Sequence, residues 1–211
     1  MRYGVVALLM AVLAASAFGV TLVLQPDGAA GVDVGAYQAV PGSNYGTNQY
    51  LMQNYGNAYE CRAYLSFDLS SISGASVTLA TFDLWVGTGV PNPTNYNFGI
   101  YRVTSSWTET GLTWNNQPTY NTSAYDTKLV TGAAGSQTTW TITTLIQQWV
   151  LGTYTNYGLV VCRVDMSNQT PWPYLVSSDY GTANMRPRLT ITYTSVGVAP
   201  TSLGRIKSLY Q

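Results

Sequence analysis

Histidine is absent from this chain of 211 residues, and charged residues make up only 9% of it. The first absence removes the commonest general base and the commonest metal ligand together. The second leaves no basic surface. Nine Lys and Arg balance nine Asp and Glu, so neither a phosphate backbone nor an anionic membrane finds the cationic patch it needs. Cysteine is limited to Cys61 and Cys162. Two cysteines without histidine fall short of a metal site. A disulfide closing a loop of about 100 residues and two buried free thiols on separate strands both fit the spacing. Glutamate is limited to Glu60 and Glu109. Glycoside hydrolysis by paired carboxylates needs two of them facing one cleft about 5 to 10 Å apart. Acidic residues in turn-rich β sequence ordinarily form turns, so no enzyme is expected. Apolar runs of the roughly 20 residues that a membrane span requires are also missing. The eleven-residue run at 5–15 follows Arg2 and leads into Ala15-Ser16-Ala17, the pattern of a secretory signal peptide with cleavage fitting after Ala17 or Gly19. The expected organisation is a leader over 1–19, one domain over 20–194, and a flexible linker with a short tag over 195–211. The product is then secreted, extracellular or at the cell surface, with no membrane insertion once the leader is removed.

What the chain has is 17 Tyr, 6 Trp, 20 Gly and abundant Thr and Asn. Such a surface hydrogen-bonds and stacks rather than attracting ions. Period-two alternation recurs, the mark of half-buried antiparallel strands. In residues 61–69, Ala63, Leu65, Phe67 and Leu69 share one face, and Arg62, Tyr64, Ser66 and Asp68 the other. In 76–86, Phe82, Leu84 and Val86 oppose Thr81, Asp83 and Trp85. Further strands are expected at 21–24, 50–53, 98–103, 139–143, 158–164, 174–178 and 189–193, separated by turn-rich pieces such as Pro41-Gly42-Ser43-Asn44 and Pro91-Asn92-Pro93. This reads as a β-sandwich or jelly roll. One segment breaks the period. Leu145, Ile146, Trp149 and Val150 fall on one helical face; Thr144 with Gln147 has the spacing of a capping box, and Gly152 is placed to end the helix.

Three stretches are more specific: RAYLSFDLSSI at 62–72, YRVTSSWTETGLTWNNQP at 101–118, and WTITTLIQQWVLGTYTNYGLVV at 140–161. With Asn44-Tyr45-Gly46 before them and Arg186-Pro187-Arg188-Leu189 after, they resemble the DNRLRE domain family, which overlaps carbohydrate-binding module family 96. The likeness covers about residues 22 to 193. It implies an all-β jelly-roll β-sandwich with one short helix, without catalysis, of the kind that binds polysaccharide or cell-surface glycan. It also implies a structural role for Glu109 and places Trp107, Trp114 and Trp149 as core or loop anchors. Family members that bind alginate are thought to use clustered basic residues. Here Lys128 is the only lysine of the body and the arginines are scattered, so a neutral glycan fits better.

Sugar recognition calls for flat rings against pyranose C–H faces, with amide, carboxylate or guanidinium groups for the hydroxyls. Arg62 and Tyr64 with Asp83 and Trp85 have this chemistry if their strands adjoin, and Tyr45, Asn48 and Tyr50 extend it from the first loop. Trp85 and Tyr64 also read as rings that cover a sheet or lie under a loop. Asp27 and Asp33 flank a glycine-rich turn and are oxygen ligands of the type calcium prefers, though no full loop motif accompanies them. No other cofactor is implied. The rival to a carbohydrate-binding or adhesion module is a structural protein that self-associates in an extracellular appendage or matrix.

Overall fold

Alternation along short strands is realised as two stacked antiparallel sheets. The computed structural model describes residues 19–53, 60–88, 95–164 and 173–194. The leader expected over 1–19 therefore lies outside the described residues except for Gly19, as do the 91–93 turn and the tail at 195–211. In chain order the strands are β1 (Val20–Leu24), β2 (Val32–Tyr37), β3 (Tyr50–Met52), β4 (Cys61–Ser66), β5 (Ser76–Trp85), β6 (Tyr96–Arg102), β7 (Asp126–Val130), β8 (Gln137–Thr141), β9 (Leu159–Arg163), β10 (Leu175–Val176) and β11 (Arg188–Thr194). Helix α1 (Thr143–Val150) lies between β8 and β9. One sheet has the order β1-β11-β5-β8, the other β2-β4-β9-β6-β7, and β10 pairs with β3 separately. The chain changes sheet between β1 and β2, β4 and β5, β5 and β6, β7 and β8, and β8 and β9, which is the winding of a jelly roll.

The main core fills the space between the sheets. Ala63, Leu65 and Phe67 of the β4 segment meet Ala80, Phe82 and Leu84 of β5, with Trp140, Leu189 and Ile191 beside them, all buried. Burying one such large side chain contributes about 1.5–3 kcal/mol. Trp140 of β8 spans the layers: its indole Nε1 donates to the Phe98 carbonyl of β6 at 3.0 Å. At one side Asp126 of β7 accepts from the Thr141 amide of β8 at 2.7 Å, fastening the two sheets together.

Strands β2 and β7 escape the sequence reading. In β2, Val34 and Ala36 on one face and Asp33 and Tyr37 on the other are all buried, so no polar face alternates with an apolar one. Strand β7 reads Asp-Thr-Lys-Leu-Val, an edge sequence with two charges. The expectation that β4 is half-buried also needs correction. Tyr64, on its outward face, is 0% exposed, because residues 104–120 fold over that face and build a second core from Val34, Ala36, Tyr64, Val103, Leu112 and Val160.

The helix forms where expected but is not capped as expected. Its N-cap position is Ile142, with no side-chain cap. Gln147 Oε1 instead accepts from the Val77 amide at 2.7 Å, and its Nε2 donates to the Ala75 carbonyl at 3.1 Å. Thr143 Oγ1 accepts from the Ala80 amide. Of the expected capping pair, Gln147 is thus held by the chain entering β5 instead, and Thr144 caps nothing. Gly152, at φ +71°, does end the helix.

Candidate binding face

The family-like stretches act as clamps that hold residues 104–120 against the outer face of the five-stranded sheet. Trp107 Nε1 donates to the Tyr157 carbonyl at 2.7 Å. Glu109 Oε1 accepts from the Asp33 amide at 3.0 Å, which gives this carboxylate a structural task. Asn44 Nδ2 donates to the carbonyls of Glu109 and Leu112, at 2.6 and 2.7 Å. Gly46 sits so close that a β-carbon there would lie 2.7 Å from the Glu109 side chain. Asn116 closes the turn at Thr113 and donates to the Gly111 carbonyl. Gln117 is the hinge of the arrangement: its Oε1 accepts from the Tyr64 hydroxyl at 2.9 Å and from Arg62 Nη1 at 3.3 Å, while its Nε2 donates to the Trp114 carbonyl.

These clamps leave a strip of aromatic rings at the surface. The Arg62 guanidinium lies 4.9 Å from the Trp114 ring centre and 5.4 Å from that of Tyr120, within cation–π range of both. Glu60 pairs with it at 2.7 Å. Tyr101 continues the strip, its ring 5.7 Å from Tyr120. Tyr101 lies back over Gly99, where a β-carbon would approach the ring to 2.7 Å, so a larger residue there would push the ring aside. Trp114, Tyr120 and Tyr101 are all partly exposed. Beneath them Cys162 is buried, and burial pushes its thiol up to about 11. Burial likewise raises Tyr120 and Tyr101 above the ordinary phenol value, so both hydroxyls are protonated donors at neutral pH.

Of the residues expected to form one sugar site, the structure separates two groups. Arg62 and Tyr64 belong to β4 and the five-stranded sheet, Asp83 and Trp85 to β5 and the four-stranded sheet. The strands do not adjoin, because the chain crosses between sheets through the 3-10 turn Ser70–Ile72. Tyr64 is sealed under the clamped loop. Asp83 is buried and fully engaged: it accepts from Arg188 Nε and Nη2 at 3.0 and 2.8 Å and from Thr139 Oγ1 at 2.6 Å. Trp85 is 7% exposed and lies beneath the Arg188 guanidinium, 5.0 Å away. Tyr50 joins Trp85, Val176 and Tyr180 in a third small cluster. Asn48 supports that cluster, its carbonyl accepting from Ser177 Oγ at 2.6 Å. Tyr45 packs edge-on against Tyr37 at 4.8 Å.

Trp114 was expected as an anchor, and Tyr101 and Tyr120 were not singled out. Their signals are readable afterwards: Tyr101 alternates against Phe98 and Ile100, and Trp114 and Tyr120 bracket a run of amides. The disulfide alternative is corrected. Both cysteines are free and buried. Cys61 points into the main core with Ala63 and Leu65, whereas Cys162, one residue from the inward Val161, points outward. Thiols on opposite faces of one sheet cannot bridge.

Asp27 and Asp33 serve protein donors. Asp27 Oδ1 accepts from the amides of Ala29 and Ala30. Asp33 is 3% exposed and accepts from the Ser178 amide and hydroxyl, yet burial dominates and raises it to about 7. Among the described residues no three His, Cys, Asp or Glu groups are placed to hold a metal ion. No described helix is long and apolar enough to cross a membrane.

No curated protein matches the chain. The profile of carbohydrate-binding module family 96 matches residues 26–193, a span that takes in both sheets apart from the first strand, the clamped loop and the aromatic strip, and the chain belongs to that family.

Proposed function

We propose that the chain is a secreted, non-catalytic module that binds an uncharged glycan on the outer face of the five-stranded sheet. The observation that carries this reading is the strip of partly exposed rings, Trp114, Tyr120 and Tyr101, around a guanidinium already paired with Glu60. Rings of this kind take the C–H faces of pyranoses, and Glu60, Arg62 and Gln117 offer acceptors and donors to the hydroxyls. Hydrogen bonds among Gln117, Tyr64 and Arg62 hold the polar groups in place before a ligand arrives, which lowers the entropy lost on binding. A uronate carboxylate would compete with Glu60 for Arg62, so neutral polymers are favoured. The contacts need no cofactor, and attachment to extracellular glycan is the expected biological outcome.

Affinity electrophoresis in gels holding neutral polysaccharides (β-glucan, xylan, mannan) or acidic ones (alginate, pectate) tests this. A neutral polymer should retard the protein. Removing one ring, worth about 0.5–1.5 kcal/mol beyond its area, should weaken retardation roughly two- to tenfold in Trp114→Ala or Tyr120→Ala. Trp85→Phe should migrate like the parent. The proposal fails if no neutral polymer retards the protein, or if the two alanine variants are retarded as strongly as the parent.

A further inference from the structure

We propose that the glycan face continues beyond the strip along β6, where Asn97, flanked by Leu129 and Val164, forms a further subsite for the same uncharged polymer. The module then reads a longer run of sugar units than its three rings engage. This rests on the strip being the binding site.

Register sets the row. Phe98 and Ile100 of β6 point into the core between the sheets, so Asn97, Gly99 and Tyr101 point outward. Asn97 stands opposite Leu129 of β7, and Gly99 opposite Thr127. On the other side Gly99 pairs with Cys162 of β9, and the Val164 amide donates to the Asn97 carbonyl at 2.9 Å, so Val164 comes alongside Asn97. Residues opposite one another on adjacent strands share a face. Leu129 and Val164 are 52% and 49% exposed, and Asn97 and Thr127 are exposed as well. The outcome is an amide between two aliphatic side chains, all reachable from solvent. Among the described residues the Asn97 side chain has no hydrogen-bond partner.

The row joins the strip through Tyr101. A β-carbon at Gly99 would lie 2.7 Å from the Tyr101 ring and 2.9 Å from its hydroxyl, so the phenol leans along β6 toward Asn97 over the space that glycine leaves. From Tyr101 to Asn97 is four residues, about 14 Å of strand, room for more than one further sugar ring. The side chains suit that ligand: Leu129 and Val164 take C–H faces, and Asn97 donates to and accepts from hydroxyls. No charge interrupts the path. The charged residues of β7, Asp126 and Lys128, alternate with Thr127 and Leu129 onto the other face, where they pair at 3.3 Å and Asp126 accepts from the Thr141 amide of β8. A neutral chain therefore meets no ion that it must desolvate.

Isothermal titration of the protein with gluco-, xylo- and manno-oligosaccharides of three and six units tests this. The parent should bind the six-unit member of one series about tenfold more tightly than the three-unit member, the gain expected from one or two added hydrogen bonds with their apolar contacts. Asn97→Ala combined with Leu129→Thr should lower the six-unit affinity roughly two- to tenfold and leave the three-unit affinity unchanged. Trp114→Ala should weaken both. The two altered positions are exposed, and an unchanged melting temperature verifies the fold. Equal affinity of the parent for the two lengths overturns the inference and leaves the strip standing. So does a double variant that binds six units as the parent does, or that loses both lengths alike. A parent that binds neither length in any series overturns the reading of the strip and this inference with it.

Discussion

Replacing Asp33 by Asn should stabilise the protein at alkaline pH and change little in acid. The carboxyl is 3% exposed and accepts from the Ser178 amide at 2.8 Å and the Ser178 hydroxyl at 3.2 Å, with Glu109 and Asp179 as charged neighbours. Burial outweighs the hydrogen bonds and raises its pKa to about 7. An unfolded aspartate ionises near 4. Between these values the folded protein holds a proton that the unfolded chain has released. This contribution to stability is therefore greatest below about pH 4, falls as pH rises, and levels off above about pH 7. Three pH units at 1.36 kcal/mol each set the upper bound at about 4 kcal/mol, and local relaxation reduces it to about 2–4 kcal/mol. Burial also raises Glu109 and Asp179, which adds in the same direction. An asparagine keeps an acceptor for the Ser178 amide, donates to the Ser178 hydroxyl, and has no charge to bury. At roughly 2–4 °C per kcal/mol, Asp33→Asn should melt about 5–15 °C above the parent at pH 8.5 and close to it at pH 4.5. Thermal unfolding followed by circular dichroism reads this. A parent with the same melting temperature from pH 5 to 8.5, or a variant less stable at pH 8.5, refutes the reasoning.

Other expectations concern packing and chemistry. Gln147→Ala should lower stability by about 1–3 kcal/mol in denaturant titration, because the Val77 amide and Ala75 carbonyl lose their partner. An unchanged midpoint would show those groups satisfied otherwise. Gly158→Ala should cost at least about 1 kcal/mol, since φ is +85° and the new β-carbon would meet the Leu65 carbonyl at 2.3 Å. Full stability in that variant would contradict the backbone geometry. Neither cysteine should react with a thiol-specific chromogen until the protein is unfolded, and intact mass should correspond to two thiols. A mass two units lower would establish a bridge.

The strands readable from sequence are those with one apolar face. Residues 61–69 and 76–86 alternate because their Leu and Phe side chains meet in a single core. Strand β2 was hidden because both its faces are buried. Sheet membership was hidden for a different reason. Strands β4 and β5 are close in the chain, yet a short turn sends them to different layers, and that choice is made by long-range pairing with β9 and β11. The condition set for joining Arg62 and Tyr64 with Asp83 and Trp85, that β4 and β5 adjoin, is unmet for this reason. Ring exposure was equally illegible: Tyr64 is covered and Trp114 is not, and the folding of residues 104–120 decides both. Motif residues such as Asn44, Trp107 and Gln117 were visible as a pattern, while their hydrogen-bond partners lie as many as 68 residues away.

The β1–β11 ladder has a mechanical consequence. Val20 is opposite Tyr193, so the chain enters and leaves the sandwich side by side at one end of that ladder. Tension applied through the two ends of the chain acts across the ladder, opening one residue pair after another like a zip rather than loading all five at once in shear. A force between the ends would peel β1 at low load and bare the β11 edge beneath it. Held by one end alone, the same domain passes no load through the ladder and keeps the aromatic strip intact.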